Sequence, residues 1–175
     1  LIYDAHELET EVVGSRGIIR AASKALEKIC MSHVDYTIVV NVSIQEWYKR
    51  TYKIENITTI RNIPRGKNME ISSVNYIREK FGIRESIIVF IYQGLLSNSR
   101  GVDTILEAFT SLPKDRFHVV FLGFGPMEEE LEKISQKEEN IHYIPGVASS
   151  EINTYTASAD VGIHMIKNDC LNHFY

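Results

Sequence analysis

Short apolar runs alternate along the chain with longer stretches whose apolar residues recur at helical spacing. The most apolar run, residues 87–92, is unbroken, which is typical of a parallel strand covered on both faces. The pattern predicts further strands at residues 1–3, 36–40, 57–61, 117–122, 141–144 and 161–165. It predicts helices at residues 17–33, 43–50, 74–81, 102–110, 126–137 and 150–158.

This alternation of strands and helices indicates βαβ units, which bring a parallel sheet and right-handed crossovers. The predicted fold class is therefore α/β, with Rossmann-like units. Residues 65–73 are polar, lack periodicity and contain Gly66, so they form the best linker candidate along the chain.

Composition excludes several classes of protein. The chain has 19 Lys and Arg against 23 Asp and Glu, a net charge of −4, which argues against a nucleic-acid partner. The hydrophobic fraction of 44% is enough for a core, and the longest apolar run is far below the ~20 residues of a transmembrane helix. The isolated cysteines Cys30 and Cys170 favour a reducing compartment. Because the chain opens at Leu1 and closes at Tyr175 without a cap, we expect a fragment of a longer protein.

Ligands of an open parallel sheet bind beyond the carboxyl ends of its strands, so the loops there carry the candidate chemistry. The loop 93–101 is the richest, because Gly94 permits close backbone approach and Arg100-Gly101 stands at a helix start. A guanidinium beside unpaired helix N–H groups suits a phosphate. A solvated surface loop with an incidental arginine explains the same residues equally well.

Two other loops offer weaker signals. Residues 123–126 contain Gly123 and Gly125, but Glu128 occupies the third glycine position of the dinucleotide-binding pattern, so a tight turn is favoured. Gly146-Val147 could place backbone amides beside a base, although an ordinary turn is again the simpler interpretation.

His6 follows the first strand, where a neutral imidazole could hydrogen-bond a substrate hydroxyl or move a proton. Its carboxylate neighbours would equally suit a solvated loop histidine. We interpret the remaining histidines as structural or surface residues. The sequence holds no Walker A motif, HExxH, nucleophile elbow or CxxC.

Taken together in order, several segments resemble retaining, nucleotide-sugar-dependent glycosyltransferases of the GT-B fold, of the group 1, family 4-like type. The resemblance covers nearly the whole chain and implies a domain division at 1–67, the end of the acceptor-side domain, and 68–175, the first part of the donor-binding domain. The segments that carry it are YDAHELETE, NIP, YQGLLSNSRGVDTILEAF, VVFLGFGPMEEEL, NIHYIPGV and YTASADVGI.

The resemblance implies a role for each candidate residue. Arg100 with Gly101 matches the basic residue and glycine that hold the donor diphosphate, and Gly94 matches the glycine that ends the first donor-domain strand. Many relatives carry an arginine immediately after that glycine, whereas this chain has Leu95.

Four more residues are implied to meet the nucleotide, and one the sugar. Gly123 and Gly125 match the turn that faces the nucleotide, and Gly146-Val147 the segment that meets the base. His6 matches a histidine that reaches the transferred sugar, so the implied catalytic residues are His6 and Arg100. The family's acidic donor-site motif is expected downstream of Tyr175, so we expect this chain alone to be inactive.

The implied activity is transfer of a sugar from a nucleoside-diphosphate sugar to the hydroxyl of a glycan or lipid-linked acceptor. A cell-envelope or capsule pathway, a cytoplasmic location and peripheral contact with the inner membrane face follow from the same resemblance, which requires no metal or other cofactor. Two alternatives stay open: a nucleotide-sugar epimerase of the same architecture, and a noncatalytic α/β binding module.

Overall fold

The computed structural model describes residues 1–12, 14, 16–63 and 75–174, with Phe174 described by its backbone. Its strands are β1 (Ile2–Ala5), β2 (Tyr36–Val39), β3 (Ile57–Thr59), β4 (Ile88–Leu95), β5 (Phe117–Phe124), β6 (Ile141–Pro145) and β7 (Val161–Gly162). Its helices are α1 (Gly17–Met31), α2 (Val42–Tyr52), α3 (Tyr76–Phe81), α4 (Val102–Ser111), α5 (Glu128–Ser135), α6 (Ile152–Ala157) and α7 (Leu171–Phe174). The predicted alternation of strands and helices is confirmed.

The chain divides into two compact units, Leu1–Lys67 with Asn168–Tyr175, and Asn68–Lys167. The predicted linker at 65–73 lies outside the described residues. The sequence-based division placed residues 168–175 with the second region, whereas the structure groups them with the first unit. The reason is local, because the Leu8 N–H donates to Asn172 Oδ1 at 2.7 Å and the Asn172 amide donates back to the Leu8 carbonyl at 3.1 Å.

The first unit is a parallel sheet in the order β1-β2-β3. Helix α2 begins at a polar cap, where Asn41 Oδ1 accepts a hydrogen bond from the Ile44 N–H at 2.8 Å. Its aromatic face then packs on the sheet. The buried core of the unit consists of Ala5, Leu8, Met31, Val39, Ile44, Trp47, Tyr48 and Ile57.

Helix α1 turns its apolar stripe away from this core. Ile18 is 88% exposed and Leu26 63% exposed, although their helical spacing would ordinarily place them inside. The opposite face carries Arg20 and Lys24, and both pair with the buried carboxylate of Glu11. Because a buried carboxylate must be paired, this ion-pair cluster fixes which face of α1 points inward. An apolar helical face is left uncovered by the described residues.

The second unit is a parallel sheet in the order β6-β5-β4-β7. Strand β4 is covered on both faces, since Val89 and Ile91 belong to one core cluster while Phe90 and Tyr92 pack in the other. The α/β, Rossmann-like fold class is confirmed. The structure corrects the strand ends: β4 and β5 continue beyond the predicted 92 and 122 through the paired Gly94 and Gly123, and β7 is shorter than predicted.

Across the described residues, no helix combines the length and apolarity needed to cross a bilayer. Nor do the described histidine, cysteine and carboxylate side chains gather in any group of three or more that could hold a metal ion.

Two buried histidines sit near the amino ends of β5 and β6. His118 Nδ1 lies 3.0 Å from His142 Nε2, and His118 Nε2 lies 3.0 Å from the Lys114 carbonyl oxygen. His118 therefore donates to the carbonyl and accepts from His142 when both rings are neutral. Burial lowers the pKa of both rings, that of His142 to about 4. The pair is structural, as the sequence analysis expected.

Acidification should destabilise the second unit through this histidine pair. Because the folded pKa lies below the ordinary 6.5, the neutral pair contributes stability above about pH 6.5 and loses it as pH falls toward 4. We expect the melting temperature of the second unit to drop across this interval, measured by circular dichroism. His142→Gln should flatten the drop, while the same change at exposed His33 should leave it intact. An equally steep drop in His142→Gln would assign the acid sensitivity to other groups.

Candidate functional site

The carboxyl ends of β4, β5 and β6 meet at one edge of the second sheet. The register pairs Gly94 with Gly123 and Gly123 with Pro145, so the three strands end side by side. A cleft of about 230 Å³ opens there. Its walls are formed by Gln93, Gly94, Leu122, Gly123, Phe124, Gly146, Val147 and Ile152.

Glycines without a Cβ atom shape this edge of the sheet. Gly123 has φ +154°, and a Cβ added to it would lie 1.9 Å from the Gly94 carbonyl oxygen. A Cβ on Gly146 would lie 3.1 Å from Cδ1 of Phe124. Strands β4 and β5 can therefore approach as closely as they do only because glycine occupies position 123, while a side chain at position 146 would need the Phe124 ring to shift.

The cleft combines apolar walls with few polar groups. Phe124 is 65% exposed, so its ring offers a flat surface to a ligand. The Thr156 hydroxyl oxygen lies 2.7 Å from Gln93 Oε1 and 2.9 Å from the Ile152 carbonyl oxygen. This contact positions the Gln93 amide, a hydrogen-bonding group, in the wall of the cleft. A planar ring and a hydrogen-bonding ligand edge would fit this combination.

The glycine turn after β5 is closed by a carboxylate. The Gly125 N–H donates to Glu128 Oε1 at 2.7 Å, and the Tyr143 hydroxyl donates to Glu128 Oε2 at 3.1 Å. A Cβ on Gly125 would lie 2.6 Å from the Leu96 carbonyl oxygen. Gly125 thus shapes the turn under the cleft, and its amide is already occupied.

The Arg100 loop continues directly from β4. Ser97 Oγ lies 3.0 Å from Ser99 Oγ, and a short 3-10 helix, Asn98–Arg100, is closed by Gly101 at φ +68° before α4 begins. A Cβ on Gly101 would lie 2.5 Å from Cγ of Met165, so the chain after β7 packs tightly against this loop. Glycine is required here by both conformation and space.

Arg100 is half-buried beside this loop. Burial raises the pKa of Tyr92, and the positive charge of Arg100 partly opposes that rise. The Tyr92 hydroxyl donates to the Leu95 carbonyl at 2.9 Å and lies 3.8 Å from a Cβ placed on Gly94. The Arg100 charge therefore acts on the Tyr92 hydroxyl, which lies beside Gly94.

His6 stands in the first compact unit, directly after β1. Its side chain is 67% exposed, and Nε2 lies 3.6 Å from Asp4 Oδ2. This geometry suits a surface imidazole oriented by a neighbouring carboxylate.

The structure brings together Gly94, Gly123, Gly146 and Val147 in the walls of one cleft. Arg100, Gly101 and Gly125 lie on the adjoining loops rather than in the walls. Sequence analysis missed four lining residues, Gln93, Leu122, Phe124 and Ile152. Gln93 could have been found, because a polar side chain follows the apolar strand there, whereas the other three resemble ordinary apolar positions.

Comparison with known proteins identifies the family to which this chain belongs. Residues 73–171 match the family described as "Glycosyl transferases group 1". This range includes the cleft and the Arg100 loop.

Two curated relatives share about a quarter of their residues with the chain. An uncharacterized glycosyltransferase, MJ1069, of Methanocaldococcus jannaschii is 25% identical over 152 residues, which cover 81% of this chain and 37% of the relative. The alpha-monoglucosyldiacylglycerol synthase of Acholeplasma laidlawii is 24% identical over 156 residues, covering 81% and 39%. The chain therefore spans about two fifths of the length of these relatives.

Solved structures with this fold include glycosyltransferases. Anabaena HepE in complex with UDP and glucose superposes with a TM-score of 0.67 at 13% identity, over 94% of this chain and 46% of HepE. WaaG, a glycosyltransferase involved in lipopolysaccharide biosynthesis, gives a TM-score of 0.63 at 17% identity, over 94% of this chain and 50% of WaaG. These similarities establish the fold.

Proposed function

Because the chain belongs to the glycosyl transferases group 1 family, we propose that it carries the donor-binding part of an enzyme that transfers a sugar from a nucleoside-diphosphate sugar to an acceptor hydroxyl. The observation that carries the proposal is the cleft at the ends of β4, β5 and β6. It gathers four of the candidate nucleotide-contacting residues beside the loop that holds Arg100.

We assign each part of the donor to a place in this arrangement. Phe124 and the backbone at Gly146-Val147 suit the base, with Gln93 as a hydrogen-bond donor. The diphosphate suits Arg100 and the start of α4, because a guanidinium pairs with phosphate oxygens through a planar fork of donors. HepE, which shares the fold, was solved with UDP and glucose, and this supports a nucleotide in the cleft.

The proposed reaction breaks the bond between the sugar carbon and the diphosphate oxygen and joins that carbon to the acceptor oxygen, with retained configuration. The proton of the acceptor hydroxyl passes to the departing diphosphate. Negative charge grows on the departing diphosphate in the transition state. Arg100 would stabilise this charge from a fixed position, which lowers the barrier without a metal or cofactor. We assign His6 to hydrogen-bonding the transferred sugar.

We further propose that the chain is part of a longer enzyme, with residues 1–67 and 168–175 in its acceptor-side domain and residues 68–167 in its donor-binding domain. The uncovered apolar face of α1 supports this, because Ile18 and Leu26 would ordinarily be buried. The length of the curated relatives supports it too. A glycan or lipid-linked acceptor, a cell-envelope pathway and a cytoplasmic site of action complete the proposal.

We expect the chain to bind UDP at least about tenfold more tightly than uridine, because the diphosphate adds charge-assisted hydrogen bonds. Isothermal calorimetry with UDP, GDP, ADP and their nucleosides measures this directly. No sugar transfer from the corresponding nucleotide sugars should be detectable.

The result separates the alternatives. A chain that binds none of the three diphosphates would be a noncatalytic module. Robust transfer by this polypeptide alone would show that its acidic donor-site motif has been misplaced, and interconversion of the donor sugar without an acceptor would identify an epimerase.

A further inference from the structure

The chain segment after β7 is fastened to the Arg100 loop and to the first turn of α4. The Ile163 N–H donates to the Ile91 carbonyl at 2.8 Å, and the Lys167 N–H donates to the Ser99 carbonyl at 3.0 Å. Between these two bonds, Met165 packs against Gly101. The ammonium of Lys167 then forms an ion pair with Asp103 Oδ2.

Asp103 lies in the first turn of α4, and its side chain is 41% exposed. The hydrogen bond from Lys167 is the main cause that holds the pKa of Asp103 below its ordinary 3.8. The second oxygen, Oδ1, is buried and accepts no hydrogen bond within the described residues. Lys167 is thus the main source of compensation for this negative charge.

The position of Asp103 creates an electrostatic conflict with the proposed donor. It stands three residues after Arg100, in the first turn of α4, where a diphosphate would also benefit from the helix dipole. An unpaired carboxylate in that turn would repel a diphosphate bound beside Arg100, because like charges raise each other's energy. The ion pair of Asp103 with Lys167 carries no net charge, so at longer range it neither attracts nor repels a diphosphate.

We propose that Lys167 is a positioning residue for the donor diphosphate, acting by neutralising Asp103 at the start of α4. The inference rests on the proposed function of the same site. The ion pair of Lys167 with Asp103 brings together two residues that are 64 positions apart in the chain.

A double-mutant cycle of Lys167 and Asp103 tests the proposal, with the affinity for UDP measured by calorimetry on the full chain. Lys167→Met should weaken UDP binding about three- to tenfold, because Asp103 then repels the diphosphate. Asp103→Asn should tighten binding by a similar factor, since it removes the negative charge from the first turn of α4. The double variant should bind UDP like the wild type, and Lys167→Arg should retain most of the affinity.

Lys114→Met is the matched control. Lys114 also forms an ion pair with a carboxylate, Glu138, but it precedes β5 and so lies at the opposite edge of the sheet from the cleft. This variant should leave UDP affinity unchanged. For all variants uridine binding should stay constant, and the loss in Lys167→Met should shrink at high salt because the repulsion is screened.

Two other patterns would overturn the inference. If Asp103→Asn weakens UDP binding as much as Lys167→Met, the ion pair only fastens the segment in place. If the double variant stays as weak as Lys167→Met, Lys167 contacts the diphosphate directly. A wild-type chain that binds no nucleoside diphosphate would instead defeat the proposed function, a result that is visible before any variant is made.

Discussion

Gly123→Ala is expected to destabilise the second unit by about 3 kcal/mol or more, the largest loss of stability that a single methyl group should cause in this chain. The added Cβ would meet the Gly94 carbonyl oxygen at 1.9 Å, and that neighbour is backbone of the adjacent strand. The φ of +154° adds strain for any L side chain. Relief requires β4 and β5 to separate at their carboxyl ends. Chemical denaturation followed by circular dichroism measures the loss.

Gly162→Ala provides the matched control in the same sheet. Gly162 lies in β7, and a Cβ there would meet no atom within 4 Å. This variant should keep wild-type stability and UDP binding, whereas Gly123→Ala should lose both. Equal stability of the two variants would mean that β4 and β5 do not pair through Gly94 and Gly123.

The order of strands and helices was predictable because β-branched runs and helical periodicity are local signals. The ends of the central strands were not. Gly94 and Gly123 have low strand propensity and are typical of turns, yet they continue the ladder because the missing Cβ of Gly123 lets the Gly94 carbonyl approach it. Propensity describes a residue alone, and this pairing depends on two residues from distant parts of the sequence.

Helix α1 shows a different limit of periodicity. The spacing of Ile18, Leu26 and Ile29 correctly predicted a helix, but it could not say which face would meet the described core. That choice depends on Glu11, a buried carboxylate outside the helix that recruits Arg20 and Lys24. The pattern of apolar residues within the helix gives no information about Glu11, which lies outside it.

The parts of the candidate site that lie at the carboxyl ends of parallel strands were predictable from the sequence. The parts that depend on contacts between distant residues were not. Loops at the carboxyl ends of parallel strands were the right place to search, so Gly94, Gly123 and Gly146 were found from position. Lys167 and Asp103 are 64 residues apart, and their pairing follows from the chain's return across the Arg100 loop. The sequence offers no local signal for it.

Arg100→Ala is expected to cause the largest loss of donor binding, about tenfold or more in the affinity for UDP. The half-buried guanidinium follows a strand end and precedes α4, so a diphosphate bound there gains charge-assisted hydrogen bonds of roughly 1.5–3 kcal/mol each. With Leu95 in place of a second arginine, little else in the loop can replace them. Calorimetry with UDP and uridine measures the loss and assigns it to the phosphates.

The substitution series then identifies what the guanidinium does. Arg100→Lys should keep part of the affinity, since it retains the charge and loses the planar fork. Arg116→Ala is the control, because Arg116 lies over the Phe117 ring at the start of β5, at the far edge of the sheet from the cleft. Its UDP affinity should match the wild type. If Arg100→Ala weakened UDP and uridine to the same extent, the arginine would support the shape of the cleft, and the diphosphate would have to bind elsewhere.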